Sequence, residues 1–363
     1  MIFLLALLAP RQFDPSALVN AGDRLVDAAA APPSLTVIRP GDGYDGQFSY
    51  RLALDPFTTE RSAEGLTLDI PAYRQQRILH PLLAWAVSLG RSTPVPLVLA
   101  LLNIAAIVAL SWLCAHYAQG FGKHPLWGLG LALLPSTAIA LANDLPEILL
   151  AACLVAAALA LERRRIIWAT LALMLGVLTH EHALVLVLAV ALVTLSAPEL
   201  RLRGWQVMWC LPLAVFVAWQ VYLTHVWGDT PLRVAMEFLN QPFRGLVSIG
   251  RHMLPAQNVS TVIHLSGFAV AAAFTLACAG ALSVTRAHRA VCLGWVFSTI
   301  VLFLGTGVVW ETELAFWRAS TASMTLGTLM LIGSELRLRW AVIPVSAAFG
   351  VVFVARLTWL AWL

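Results

Sequence analysis

The chain has 363 residues, 60% of them hydrophobic and only 12% charged, with a mean hydropathy of +0.81. A soluble globular domain carries about a quarter charged residues, so this composition excludes one and indicates a multi-span membrane protein. The net charge of +4 is modest, Lys123 is the only lysine, and no Lys/Arg cluster suggests nucleic acid as a partner.

The opening MIFLLALLAP lacks the basic n-region and small-residue cleavage site of a signal peptide. It is about half the ~20 residues a span needs, so it reads as a partial first helix, or as the end of one that starts upstream. Residues 11–77 then form a polar loop too long for a connector, with carboxylates at Asp42, Asp45, Asp55, Glu60, Glu64 and Asp69. Within GYDGQFSYRLALDPF (43–57), Gly43 and Gly46 flank Tyr44 and Asp45 and give the backbone freedom to present Asp45 in a tight turn. The bland alternative is a turn-forming aspartate in a solvated loop. Asp42 reads as a turn residue and the fallback base, and Asp55, before Pro56, as a cap or turn. The stretch FSYRLAL suits a short helix on the membrane surface. PAYRQQRILHP (71–81) brings Arg74, Arg77 and His80 to the edge of the next helix. A carboxylate followed by cations suits group transfer, in which the carboxylate deprotonates an acceptor hydroxyl while the cations hold a departing phosphate.

Apolar segments follow at 95–118, 125–142, 147–161, 166–179, 183–197, 205–227, 261–283, 290–309, 316–334 and 341–362. Long continuous runs of this kind predict spanning helices rather than a β-barrel. Of the shorter run at 78–90 and the segment 125–142, one is expected to dip in without crossing, and 78–90 is the favoured one. The short loops at 162–165, 199–205, 285–289 and 335–340 are basic and face the cytoplasm by the positive-inside rule. Residues 11–77, 143–147, 179–182, 228–260 and 310–318 then face outward.

Several polar groups stand at that outer face. Asn143 or Asp144 is expected to cap a helix, with Glu147 in its first turn. His180, Glu181 and His182 are expected to line the outer cavity. No metal is expected there, since HExxH is absent and neighbouring helical residues point in different directions. In 229–255, Leu232, Met236, Leu239, Phe243 and Leu246 recur about a helical turn apart with Arg233, Arg244 and Arg251 between them, the pattern of helices lying in the interface plane. Those arginines either grip a lipid phosphate or snorkel beside headgroups. Glu311, Glu313 and Arg318 are expected to pair with one another. The tryptophans at span ends fit an aromatic belt, and the five cysteines, all within apolar runs, read as packing residues.

YDGQFSYRLALDPF followed by PAYRQQRILHPLLAW resembles the polytopic GT-C glycosyltransferases, and within them a bacterial subgroup linked to cell-surface glycopolymer formation that shows a similar YDGQF motif. The motif-bearing part covers about 40 residues; the rest is similar only in hydropathy and topology. The resemblance implies a single all-α membrane domain, a helical bundle of roughly 10–12 segments, with the catalytic aspartate, here Asp45, in a structured first extracytoplasmic loop. It implies inverting transfer from a polyprenyl-phosphate sugar donor to a glycan or glycolipid acceptor at the outer face of a bacterial plasma membrane. Tyr44, Gln47, Tyr50 and Arg51 would shape the sugar site, beside Asp42, while Arg74 and Arg77, at the edge that also carries His80, would meet the lipid phosphate. The adjacent acidic pair of the wider superfamily is missing, because Gly46 follows Asp45, so no metal cofactor is expected. Two other classes stay open. A lipid or solute transporter would place ionisable residues at mid-bilayer. An outer-face glycan polymerase or ligase would rely on the 228–260 loop.

Overall fold

In the computed structural model the described residues are 2–197, 204–252 and 259–362, with 250–252 and 259 described by their backbone alone. The fold is mostly helical. Four helices are long and apolar enough to cross a membrane: α5 (Val95–Gly120), Val207–Trp227, Ser260–Ala281 and Arg339–Trp362. A fifth crossing is made if Pro125–Ala132 and Pro135–Ala142, bent by 55°, count as one. Pro135 causes the break: it holds Leu134 extended and cannot continue the preceding helical bonding. The final helix packs into this bend so closely that a Cβ on Gly350 would lie 1.7 Å from the Leu133 carbonyl oxygen.

The other apolar runs form shorter helices, among them α8 (Glu147–Glu162), α9 (Ile166–Thr179), α10 (Leu184–Ser196) and Arg289–Phe303. The 316–334 run divides at Ser320, giving Glu313–Ala319 and the wholly buried Thr321–Ile332. α8 is hydrophobic all round and buried along most of its length, so it stands at the centre of the bundle.

Residues 11–77 have a small core of their own, in which Val19, Val26, Leu35, Tyr50 and Leu66 pack against Ala84, Val95 and Leu99. Two short strand pairs brace it, β1 (Ala21–Gly22) parallel to β2 (Val37–Ile38) and β3 (Ser62–Ala63) antiparallel to β4 (Leu66–Thr67). The β3–β4 turn is Glu64-Gly65, both at positive φ, as a two-residue hairpin with a right-handed twist requires. Between them runs α2 (Gly46–Leu54), followed by α3 (Pro71–Gln75) and α4 (Leu79–Ser88). At ten residues α4 is about 15 Å long, half the hydrocarbon thickness, and it packs on α2 and α5.

The loops sort into two groups. At one end, Glu162 accepts from the His288 amide at 2.5 Å and from the Tyr117 hydroxyl at 3.4 Å, and Glu335 pairs with Lys123 at 3.6 Å. The basic loops 162–165, 285–289 and 335–340 therefore lie together; 199–205 falls largely outside the described residues. The opposite end gathers 11–77, 143–147, 179–182 and 310–318. In the 228–260 segment, Pro231–Glu237 and Arg244–His252 are short helices, and Met236, Leu246 and Val247 are exposed on them, as the pattern of a segment lying in an interface plane has it.

Candidate functional site

Asp45 stands at the N-terminus of α2, where the chain turns sharply. Gly43 takes φ +67°, a conformation a side chain would strain. Gly46 answers a different need: a Cβ there would lie 2.3 Å from the Asn143 carbonyl oxygen and 2.7 Å from that of Val19. The glycine lets α2 dock on the turn before α8, which Asn20 also grips through its side-chain bond to Asn143 at 3.0 Å.

α2 presents two stripes at helical spacing. Asp45, Phe48, Ser49 and Leu52 line a cleft with Tyr73, Arg74, Arg77 and Arg318. Gln47, Tyr50, Arg51 and Leu54 lie on the other stripe.

Each oxygen of Asp45 takes a guanidinium. Arg74 Nη1 donates to Oδ1 at 3.0 Å and Arg318 Nη2 to Oδ2 at 2.9 Å. Both arginines have a second carboxylate that fixes them. Arg74 forks onto Asp69, with Nε and Nη2 each at 2.8 Å, and its guanidinium lies 4.1 Å above the Phe48 ring. Arg318 Nε donates to Glu147 Oε1 at 2.6 Å, and its guanidinium lies 5.1 Å from the Tyr44 ring centre. Beside them Arg77 holds Glu181 in a fork at 2.6 and 3.1 Å and reaches the Tyr73 hydroxyl at 2.7 Å. Forked pairs of this kind are the strong class of charge-assisted hydrogen bond.

Burial alone would raise the Asp45 carboxyl, but the charges of Arg318 and then Arg74 outweigh it and bring it down to about 2. Burial likewise acts to raise Glu181, and Arg77 drives it far below the usual carboxylate range. His180 and His182 are pushed down, chiefly by burial, and stay neutral; Arg77 adds to both shifts. The space left among these groups is about 30 Å³, enough for a few water molecules. The cations are consumed by the carboxylates, and little room is left between them.

The structure thus brings together Asp45, Tyr44, Arg74, Arg77 and Glu181, with His180 and His182 beside Glu181, and sets apart Asp42, Gln47, Tyr50, Arg51, His80 and Arg244. Asp42 is a correction: it is solvent-exposed, paired with Arg24 at 2.5 Å, and outside the cleft. Gln47 braces the turn, accepting from the Gly22 amide at 3.2 Å and donating to the Asp42 carbonyl at 3.2 Å. Tyr50 is buried in the loop's core, with its hydroxyl 3.4 Å from the Ser92 carbonyl. Arg51 is buried against Thr58 at 3.0 Å and faces a different cavity. His80 is buried with neither ring nitrogen partnered among the described residues, and burial lowers it to about 4. His180 bonds the His182 amide at 3.2 Å and meets Glu181 at 3.3 Å. Among the described residues, no three His, Cys, Asp or Glu side chains are placed to hold a metal ion. Arg244 is exposed, 3.4 Å from Asn240, and the Arg251 side chain lies outside the described residues.

Two helix-end expectations also need correcting. Pro146, not Asn143 or Asp144, stands at the N-cap of α8; Asp144 is fully buried at φ +48°, facing Asn103. Glu147 does begin α8, but its side chain serves Arg318. The pairing within 311–318 does not form either: Glu313 bonds Arg356, Glu311 bonds Ser248, and Arg318 leaves for Asp45. Arg318, Glu147 and Asp69 are the site residues that the sequence hid.

No protein-family model, curated protein or solved structure matches the chain.

Proposed function

We propose that the chain is an inverting membrane glycosyltransferase of GT-C-like architecture, with roughly 10–12 membrane segments. It would move a sugar from a polyprenyl-phosphate donor to a glycan or glycolipid acceptor at the outer face of a bacterial plasma membrane. The observation that carries this reading is the double clamp on Asp45: one carboxylate held between two guanidinium groups, each anchored independently, at the end of a bundle of apolar helices. Anchored, largely buried guanidiniums suit phosphate, and the apolar helices suit a prenyl tail.

In this mechanism the donor phosphate takes Arg74 and Arg318 from Asp45. The freed carboxylate loses the charges that depress it and becomes a stronger base. It accepts the proton of the acceptor hydroxyl as that oxygen bonds to the anomeric carbon. The bond from that carbon to the phosphate oxygen breaks on the opposite face, and the electron pair leaves with the phosphate, stabilised by the arginines. One displacement inverts the centre.

The test measures sugar transfer from a panel of polyprenyl-phosphate sugars by membranes carrying the wild type or Asp45→Asn. Transfer that disappears in a normally expressed variant supports the reading; equal transfer by both removes Asp45 as the base.

One observation favours a second reading, a transporter. Asp144 and Asn103 face one another wholly buried, and among the described residues neither has a hydrogen-bond partner besides the other. Transporters place such groups along their pathway. Solute uptake by proteoliposomes that survives Asp45→Asn but not Asp144→Ala would support it.

A further inference from the structure

The roomiest cavity described measures about 440 Å³ and does not adjoin Asp45. It lies at the far end of α2, which is nine residues and therefore about 14 Å long. Arg51 and Leu54 form its floor, the 55–64 segment one wall, and Gly90 with Ser92 the other. Nothing in the mechanism above uses it.

Its chemistry is specific. Asp55, Glu60 and Glu64 stand on the lining with no ion-pair partner among the described residues, and Arg51 is the one cation of the lining. The surplus of negative charge repels an anion, so this is no second phosphate site. Thr58 and Thr59 add hydroxyls, and Phe57 offers an apolar face that is 50% exposed. Phe57 meets Trp219 edge-on at 6.3 Å, and Trp219 stacks on Tyr222 at 5.1 Å, so the cavity opens beside an aromatic ledge. Carboxylates that accept from several hydroxyls, next to a flat aromatic face, fit a neutral polyol ring: its O–H groups donate to the acids and its C–H face covers the aromatic ring.

We propose that this cavity binds a neutral, hydroxyl-rich carbohydrate, one or more units away from the reacting end of the acceptor. The assignment to an acceptor rests on the glycosyltransferase reading; the carbohydrate site itself does not. The span of α2 sets the distance: the bound unit and the hydroxyl delivered to Asp45 stand about a helix length apart. Acceptors too short to bridge it use only the cleft, and longer ones use both.

Trp219 beside Phe57 supplies a reporter. Purified protein in detergent is titrated with neutral gluco-, manno-, galacto- and arabino-oligosaccharides of increasing length, and with the matching alkyl glycosides, while tryptophan fluorescence is followed. The expected result is saturable binding of at least one series, weakened at least tenfold by Phe57→Ala and by the Glu60→Gln, Glu64→Gln pair. Transfer to the shortest acceptor stays unchanged in those variants. An alkyl chain that tightens binding tenfold identifies a glycolipid as the source, and equal binding identifies a free glycan. Absence of binding across the panel, or binding indifferent to both variants, overturns the proposal. Transfer by the wild type separates the two ideas: if no polyprenyl-phosphate sugar of the panel is transferred while oligosaccharide binding behaves as expected, the transferase reading falls and the carbohydrate site stands, whereas transfer that survives Asp45→Asn removes only Asp45 as the base.

Discussion

Arg318 and Asp45 meet at 2.9 Å, from an interior helix of the last part of the chain and from the first loop. The contact is half of a shared arrangement, for Arg318 also holds Glu147 and Arg74 also holds Asp69. Asp45 is thus the one carboxylate that the two arginines share, and each has a second anchor of its own.

Asp45→Asn is therefore expected to tighten anion binding while it abolishes transfer. Removing the competing carboxylate leaves two positioned guanidiniums facing an amide, so the Kd for polyprenyl monophosphate should fall several-fold. Transfer should drop by about 10²- to 10⁴-fold, the usual contribution of a general base. Calorimetric titration beside a transfer assay checks both. Weaker phosphate binding in the variant would argue that the clamp holds Asp45 for structure alone.

Arg318→Gln should destabilise the protein by about 3–5 kcal/mol, because it strands the buried Glu147 carboxylate, and Glu147→Gln by less, because Arg318 keeps Asp45. The Glu147 side chain is only 2% exposed. The double variant should lose far less than the sum, since neither charge is then left alone. Thermal unfolding of the four proteins in one detergent measures the coupling. Additive losses would mean the pair contributes little.

Gly46→Ala tests the docking of the loop. The new methyl would meet two backbone oxygens, at 2.3 and 2.7 Å, neither of which can swing away. Overpacking of this kind costs about 1–3 kcal/mol, and here it also shifts Asp45, so transfer should fall more steeply than stability. Gly120→Ala, with nothing within 4 Å, is the matched control and should leave both unchanged.

Acid should reveal the Asp45 clamp. The folded carboxyl sits at about 2, against an ordinary aspartate value of 3.8. A depressed folded value stabilises the protein above the unfolded one, so the contribution, about 2 kcal/mol, is complete above roughly pH 4 and disappears as pH falls towards 2. Asp45→Asn should flatten that part of the stability profile. A variant profile parallel to the wild type would locate the acid sensitivity elsewhere, with Glu181 the next group to examine.

Burial raises the Asp144 carboxyl well above the ordinary aspartate value and so favours its neutral form. The neutral amide of Asp144→Asn should replace it within about 1 kcal/mol of stability. A larger loss, or a loss of transfer, would mean that the proton itself is used.

Much of this was legible beforehand, and the rest was hidden for definite reasons. Asp45, Arg74 and Arg77 stood out because they are polar groups concentrated in an otherwise apolar chain, and the basic loops sorted together by charge alone. Arg318 could not be found this way. Its acids lie in the first loop and at the start of α8, while Glu311 and Glu313 offered nearer partners in sequence. Glu147 was concealed by its position, since a glutamate in a first helical turn is explained without any partner. Gln47, Tyr50 and Arg51 were misplaced by taking the motif as one surface. The spacing already held the answer: 45, 48, 49 and 52 fall on one helical stripe and 47, 50, 51 and 54 on another, and only one stripe can face a given cleft.

The cleft also has a charge balance of its own. Arg74, Arg77 and Arg318 face Asp45, Asp69, Glu147 and Glu181, so the carboxylates already outnumber the guanidiniums. An incoming phosphate deepens that deficit, and a proton taken from solution restores it. His180 and His182, held neutral by burial, stand beside Glu181 to receive one. On the transferase reading, phosphate capture is then expected to consume a proton: its apparent affinity should rise as the medium becomes more acidic, and its measured heat should vary with the ionisation enthalpy of the buffer.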